Sequence, residues 1–155
     1  MNLETYSFRT GLDVEHLRIC DCGDLALLAE AQGTLDRIER VVRELKLRGK
    51  TPVLLGGEHT ITLGAVRAIE GAVGVVSFDA HLDVRDTYMG ASLSHATFMR
   101  RIVERVGHEW IVEVGVRAAS REEIQYARQE GITYVTGNNL QAEGDEAMSV
   151  IRKAM

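Results

Sequence analysis

The segment Val73-Gly-Val-Val-Ser-Phe78 runs straight into Asp79-Ala-His-Leu-Asp83, and no other feature limits the possible folds as strongly. A short apolar run reads as a buried strand, along which successive side chains alternate faces. Asp79, His81 and Asp83 stand at i, i+2 and i+4, so all three can point the same way. A buried strand that ends in two carboxylates and an imidazole carries costly polar groups unless something binds them. A divalent cation answers all three at once. The alternative is an exposed turn that only solvates its charges.

A second segment of the same kind lies upstream. Leu54-Leu55 leads into Gly56-Gly57-Glu58-His59. The two glycines free the backbone to bring His59 toward a neighbouring strand end. In open parallel α/β sheets, functional groups gather just outside the carboxyl ends of the strands. His59, Asp79, His81 and Asp83 together offer two imidazoles and two carboxylates, a donor set suited to Mn²⁺ or another first-row divalent ion. Several acidic donors at one site also fit two ions ~3.5–4 Å apart, sharing a carboxylate. A third segment delivers Ser94-His95 where a helix begins.

Short apolar runs alternate with helical periodicity, which predicts an α/β domain with a parallel sheet. Expected strands are 17–22, 51–55, 73–78, 110–116 and 132–135, with Pro52 at the start of its strand. Expected helices cover about 31–48, with Gly49 as a stop, and 60–70. Another carries Phe98, Met99, Ile102, Val103 and Val106 on one face, with Ser94 as its cap. Ser120 and Glu123 have capping-box spacing for a helix that ends at Gly131. Residues from about 142 to 155 read as a last helix. No repeat or linker appears, so residues 1–155 are expected to form one domain.

Hydrophobic residues make up 45% and charged residues 26% of the 155, a globular profile able to bury a core. No window approaches the ~18 apolar residues of a membrane span, and the first ten residues lack a signal-peptide core. The net charge of −5 argues against nucleic acid and suits a cationic substrate. Cys20 and Cys22 are too closely spaced for an ordinary disulfide along a strand, so reduced thiols and a cytoplasmic setting are expected. His16 and His108 read as surface residues.

Three segments together resemble the ureohydrolase superfamily, the binuclear manganese enzymes that include arginase and agmatinase. They are Val53-Leu-Leu-Gly-Gly-Glu-His-Thr60, Ser77-Phe-Asp-Ala-His-Leu-Asp-Val84 and Leu93-Ser-His-Ala-Thr-Phe-Met-Arg-Arg101; Tyr6 to Leu25 also resembles that family's early strand region. The resemblance implies a three-layer α/β fold, a parallel sheet with helices on both faces, here incomplete. It implies that His59, Asp79 and Asp83 hold one manganese, and that Asp79 and His81 contribute to a second. His95 matches a histidine near the substrate, used for proton transfer or for orienting the guanidinium. Glu58 falls where many relatives carry aspartate and is expected to support a liganding imidazole rather than bind metal itself.

The implied reaction is hydrolysis of a guanidinium to urea and an amine. The loop from Val84 to Leu93 most resembles agmatinases of archaeal type, which favours agmatine. The alternatives are arginase, guanidinobutyrase, formimidoylglutamase, another guanidino hydrolase or a non-catalytic metal-binding remnant. Family resemblance also implies a homo-oligomer, trimer or hexamer. Relatives run to about twice this length and carry a second Asp-x-Asp metal motif. After Asp83 this chain has only Asp86 and Asp145, which make no such pair. It begins in a polar run and stops within a helix, so it reads as part of something larger, with little or no activity expected from it alone.

Overall fold

In the computed structural model, helices and strands alternate from α2 onward, as the periodicity predicts for that part of the chain. The residues described are 5–142, 144, 145, 148, 149 and 152. A two-stranded antiparallel hairpin, β1 (Tyr6–Ser7) and β2 (Leu12–Asp13), comes first. Then follow α1 (Ala31–Leu47), α2 (Ile61–Arg67), β3 (Val75–Phe78) and α3 (Phe98–Val106). β4 (Ile111–Val116), α4 (Arg121–Glu130), β5 (Thr133–Thr136) and α5 (Gly137–Ala142) complete the order.

β3, β4 and β5 form one parallel sheet in that order. Its register sets Val75 beside Ile111, Ser77 beside Glu113 and Phe78 beside Val114. On one face Ile111 joins a core built from Leu35 of α1, Leu63 and Val66 of α2, Phe98 and Ile102 of α3, and Ala127 of α4. On the other face Val112, Val114 and Val135 pack with Leu140 of α5. The result is a layered α/β arrangement with a parallel sheet between helices.

Local chemistry explains several boundaries. α1 buries Leu35, Ile38 and Val42 along one stripe. It lies so close to α2 that a Cβ on Gly64 would meet Ile38 at 3.0 Å and the Leu35 carbonyl at 3.1 Å. At α4 the predicted capping box is present, with Ser120 Oγ accepting from Glu123 N and Glu123 Oε2 from Ser120 N. Gly131 closes that helix in the left-handed conformation, at φ 73°.

Other expectations need correction. Residues 17–22 and 51–55 form no ladder with any strand among the described residues, although both read as strands. An apolar run favours an extended chain, but a strand exists only when a neighbour pairs with it. The helix expected over 60–70 is shorter at both ends. Ser94 does not cap α3, whose N-cap residue is Thr97. Ser94 closes the turn ahead of it instead, with its Oγ accepting from Ala96 N at 3.3 Å. The final helix starts at Gly137, and the part of that expectation on residues 143, 146, 147, 150, 151 and 153–155 lies outside the described residues. Among the described residues no helix is long and apolar enough to cross a membrane.

Candidate metal centre

The centre forms where the chain leaves β3. Asp79 N donates to Val114 O at 3.1 Å, and Arg117 N and Ala118 N both donate to Ala80 O at 2.9 Å. These bonds stitch the loop after β3 to the carboxyl end of β4. Leu82 and Val84 are fully buried and act as anchors beneath it. The intervening Asp79, His81 and Asp83 are thereby turned to the rim. Asp83 adopts φ 52°, a left-handed conformation that costs a non-glycine residue of order 1 kcal/mol.

His59 reaches the same place from the loop before α2. Its ring lies against Phe98, with centroids 4.1 Å apart. Its Nδ1 stands 3.0 Å from Asp79 Oδ2 and 3.7 Å from Asp83 Oδ2. Donor atoms of His59, Asp79 and Asp83 all lie within 4.8 Å of one another. Asp83 first, and Asp79 with it, raise the His59 pKa above its ordinary value, while burial opposes this. The field that favours a proton on this imidazole also favours a divalent cation between the same groups. Two carboxylate oxygens and one imidazole nitrogen suit a first-row divalent ion, so the residues fit a metal such as Mn²⁺.

His81 is not part of that trio. Its ring is 60% exposed, and its Nδ1 lies 3.2 Å from Asp79 Oδ1. Asp79 therefore shows Oδ2 to His59 and Oδ1 to His81. A carboxylate placed in this way can serve two sites, one on either side.

Glu58 corrects an expectation about what it supports. Its Oε1 accepts from His95 N at 2.9 Å and lies 3.1 Å from His95 Nδ1, while Oε2 accepts from Thr60 N at 2.7 Å. It thus orients His95 rather than one of the candidate metal ligands. Burial works to raise the Glu58 pKa, but the bonds from Thr60 and His95 outweigh it and the pKa falls. An ionised carboxylate can only accept, so His95 donates to it through Nδ1–H, and in the neutral imidazole Nε2 is then the acceptor. The His95 ring meets Tyr88 edge-on at 5.3 Å.

Two residues escaped the sequence reading as site residues. Arg85 Nε reaches Glu123 Oε2 at 3.4 Å and its guanidinium lies over the Tyr88 ring, so it braces the loop that leads to His95. Glu113 sits in the centre of β4 at 1% exposure, and neither of its oxygens has a hydrogen-bond partner among the described residues. Burial pushes its pKa up to about 8; Ser77 pulls it down, and the Asp83 and Asp79 charges push it further up. The available signal was a lone glutamate inside Ile111-Val-Glu-Val-Gly-Val116, a run otherwise apolar. Cys20 and Cys22 are free and exposed.

Comparison with known proteins agrees with this geometry. The model of the arginase family matches residues 1–155. The chain is 43% identical to an N(1)-aminopropylagmatine ureohydrolase from Thermococcus kodakarensis, over 87% of this chain and 47% of that protein. It is 39% identical to an agmatinase from Pyrococcus horikoshii, over 87% and 47% respectively. The crystal structure of the agmatine ureohydrolase of Thermoplasma volcanium superposes with a TM-score of 0.90 at 34% identity, covering 99% of this chain and 53% of that one. The chain spans about half the length of the relatives it matches.

Proposed function

The chain belongs to the arginase family, and from that premise we propose that it carries the first part of a manganese-dependent guanidino hydrolase acting on agmatine. The observation that supports this most is the convergence of His59, Asp79 and Asp83 within 4.8 Å at the carboxyl end of a parallel sheet. A bound divalent cation supplies Lewis acidity and lowers the pKa of water. His59, as the neutral imidazole, would hold that cation with Asp79 and Asp83. Asp79 Oδ1 and His81 would hold a second. His95, fixed by Glu58, presents Nε2 as the group that takes and returns a proton. The acidic rim and the net charge of −5 attract a cationic guanidinium. Overall, water adds at the guanidinium carbon, the bond to the alkyl nitrogen breaks, and that nitrogen leaves as a protonated amine. For agmatine the products are urea and putrescine.

The second set of donors is incomplete in this chain. Asp86, the next aspartate after Asp83, is engaged by Arg101 through its side chain. We therefore expect the chain alone to release urea from agmatine far more slowly than an ordinary agmatinase. A homo-oligomer, trimer or hexamer, in the cytoplasm belongs to the same reading, and the free thiols of Cys20 and Cys22 are consistent with that location. A second substrate, N(1)-aminopropylagmatine, is favoured by the 43% identity to the Thermococcus kodakarensis protein.

The test is a chimera in which residues 1–155 replace the matching half of the Pyrococcus horikoshii relative, assayed for urea release with Mn²⁺. Turnover of agmatine or its aminopropyl derivative, lost in His95→Ala, supports the reading. A folded chimera that hydrolyses neither compound overturns it. For the chain alone, turnover within about tenfold of the intact relative contradicts the claim of an incomplete site.

A further inference from the structure

The end of the sheet away from the metal centre holds a cleft of about 370 Å³. It opens where the turn between α2 and β3, the last turn of α3 and Trp110, just before β4, come together, with Arg43 of α1 on the remaining side. Val73 lines it and Asp79 opens the acidic rim, so at ~3.3 Å per residue the two sites stand about 20 Å apart along β3. Its charge is opposite to that of the protein as a whole. Arg43, Arg67 and Arg105 line it against one carboxylate, Glu70, whereas the chain carries a net charge of −5. Helix dipoles account for part of this, since Arg67 and Arg105 occupy the last turns of α2 and α3. They leave most of the donors free. A guanidinium carries five N–H groups. Arg105 commits Nη2 to the Arg67 carbonyl at 3.1 Å, and neither arginine has a carboxylate within ion-pair distance among the described residues. Arg43 holds Glu39 at 2.6 Å through Nη2, but its Nε is buried without a partner among the described residues.

Guanidinium forks bind phosphate and carboxylate groups through paired N–H donors. Three such groups against one carboxylate leave two positive charges, which a dianion balances. The volume falls in the range of small-molecule sites, about 300–1,000 Å³, so the cleft has room for more than a bare ion. Val73, Val106 and Trp110 supply an apolar wall, and Trp110 is 44% exposed there. We propose that this cleft binds a small organic dianion, a phosphate monoester or a dicarboxylate. Arg43, Arg67 and Arg105 take its charged groups, and Trp110 and Val73 take its apolar body. The two ends of the sheet then divide by charge. Cationic ligands are drawn to the rim at the carboxyl end, and anionic ones to the cleft at the amino end.

Trp110 is the only tryptophan of the chain, so its fluorescence reports from the cleft itself. The chain, with no metal added, is titrated with phenyl phosphate and with phthalate, an aromatic dicarboxylate. Saturable quenching is expected, and the tighter of the two identifies the charged group. Inorganic phosphate, which lacks the apolar body, should displace the bound probe only at about tenfold higher concentration. Arg67→Gln and Arg105→Gln should each weaken binding by about tenfold with circular dichroism unchanged. Arg105 is exposed, so its variant decides the matter should Arg67→Gln fail to fold. Arg128→Gln changes the net charge equally on exposed α4, outside the cleft, and should bind as the parent chain does. No saturable response to either probe overturns the proposal. So does binding that survives both cleft substitutions, binding that Arg128→Gln weakens as much, or inorganic phosphate that competes as an equal. The proposed function is untouched by any of these results, because the titration involves neither Mn²⁺ nor urea release.

Discussion

Phe98 and Phe78 are alike in chemistry and opposite in circumstance. Phe98 opens α3, lies 1% exposed between the helices and the sheet, and supports the ring of His59. Phe78 closes β3 on the other face and stays 78% exposed. The helical layer of α1 to α4 is complete enough to make a core of its own, whereas the opposite layer covers only β4 and β5. Apolar patterning tells which side chains are meant to be buried. It does not tell whether the chain itself supplies the cover.

The sharpest way to break that comparison is to remove both rings. Phe98→Ala should cost about 3–5 kcal/mol, as core phenylalanine truncations do, measured by urea denaturation. Phe78→Ala should stay within about 0.5 kcal/mol of the parent chain, as exposed substitutions do. Comparable losses at the two positions would mean that the open face is already packed.

A smaller effect should come from Glu113, which faces the helical side. Its pKa is raised from the ordinary value to about 8 by burial. Such an acid stabilises the fold most below its unfolded pKa, and that contribution is lost as pH rises through about 8. Glu113→Gln, which resembles the protonated acid, should be near neutral at pH 5 and stabilising at pH 8.5. A gain of a few kcal/mol there would raise the melting temperature by roughly 2–4 °C for each. An equal effect at both pH values would place the Glu113 carboxyl in a wetter setting than its burial implies.

The smallest effect concerns His59. Its pKa is raised, Asp83 first among the causes, and a metal must displace the proton held there. Mn²⁺ affinity should therefore increase severalfold from pH 6 to pH 8, with proton uptake by the buffer visible in calorimetry. Affinity that is flat across this range would remove His59 from the ligand set.

Much of the candidate site's geometry was legible because its signals are local. Asp79 and Asp83 were singled out by their spacing after the apolar run, but they converge on a loop beyond the end of β3, with Asp83 at φ 52°, rather than along an extended strand. The glycines before His59 mark the loop that brings it over. α4 was readable from Ser120 and Glu123, and its end from Gly131. What the sequence could not show is relational. The isolation of His81 from the trio depends on which Asp79 oxygen each imidazole meets. The pairing of Glu58 with His95 joins positions on separate loops. Residues 51–55 have a strand's apolar alternation, yet strand pairing depends on a neighbour that local sequence does not specify. Glu113 was overlooked because a glutamate in an apolar strand reads as a solvent-facing position until the register sets it beside Ser77 in the core.

The central claim, that His59, Asp79 and Asp83 form the primary metal site, is tested most directly by Mn²⁺ titration of the chain at pH 8, followed by electron paramagnetic resonance. The account predicts that the chain binds Mn²⁺, and that Asp79→Asn and Asp83→Asn each weaken binding by more than about tenfold, since even groups that merely support ligands cost that much. His81→Ala should matter far less. Unchanged affinity in either aspartate variant, or a loss greatest in His81→Ala, would contradict it.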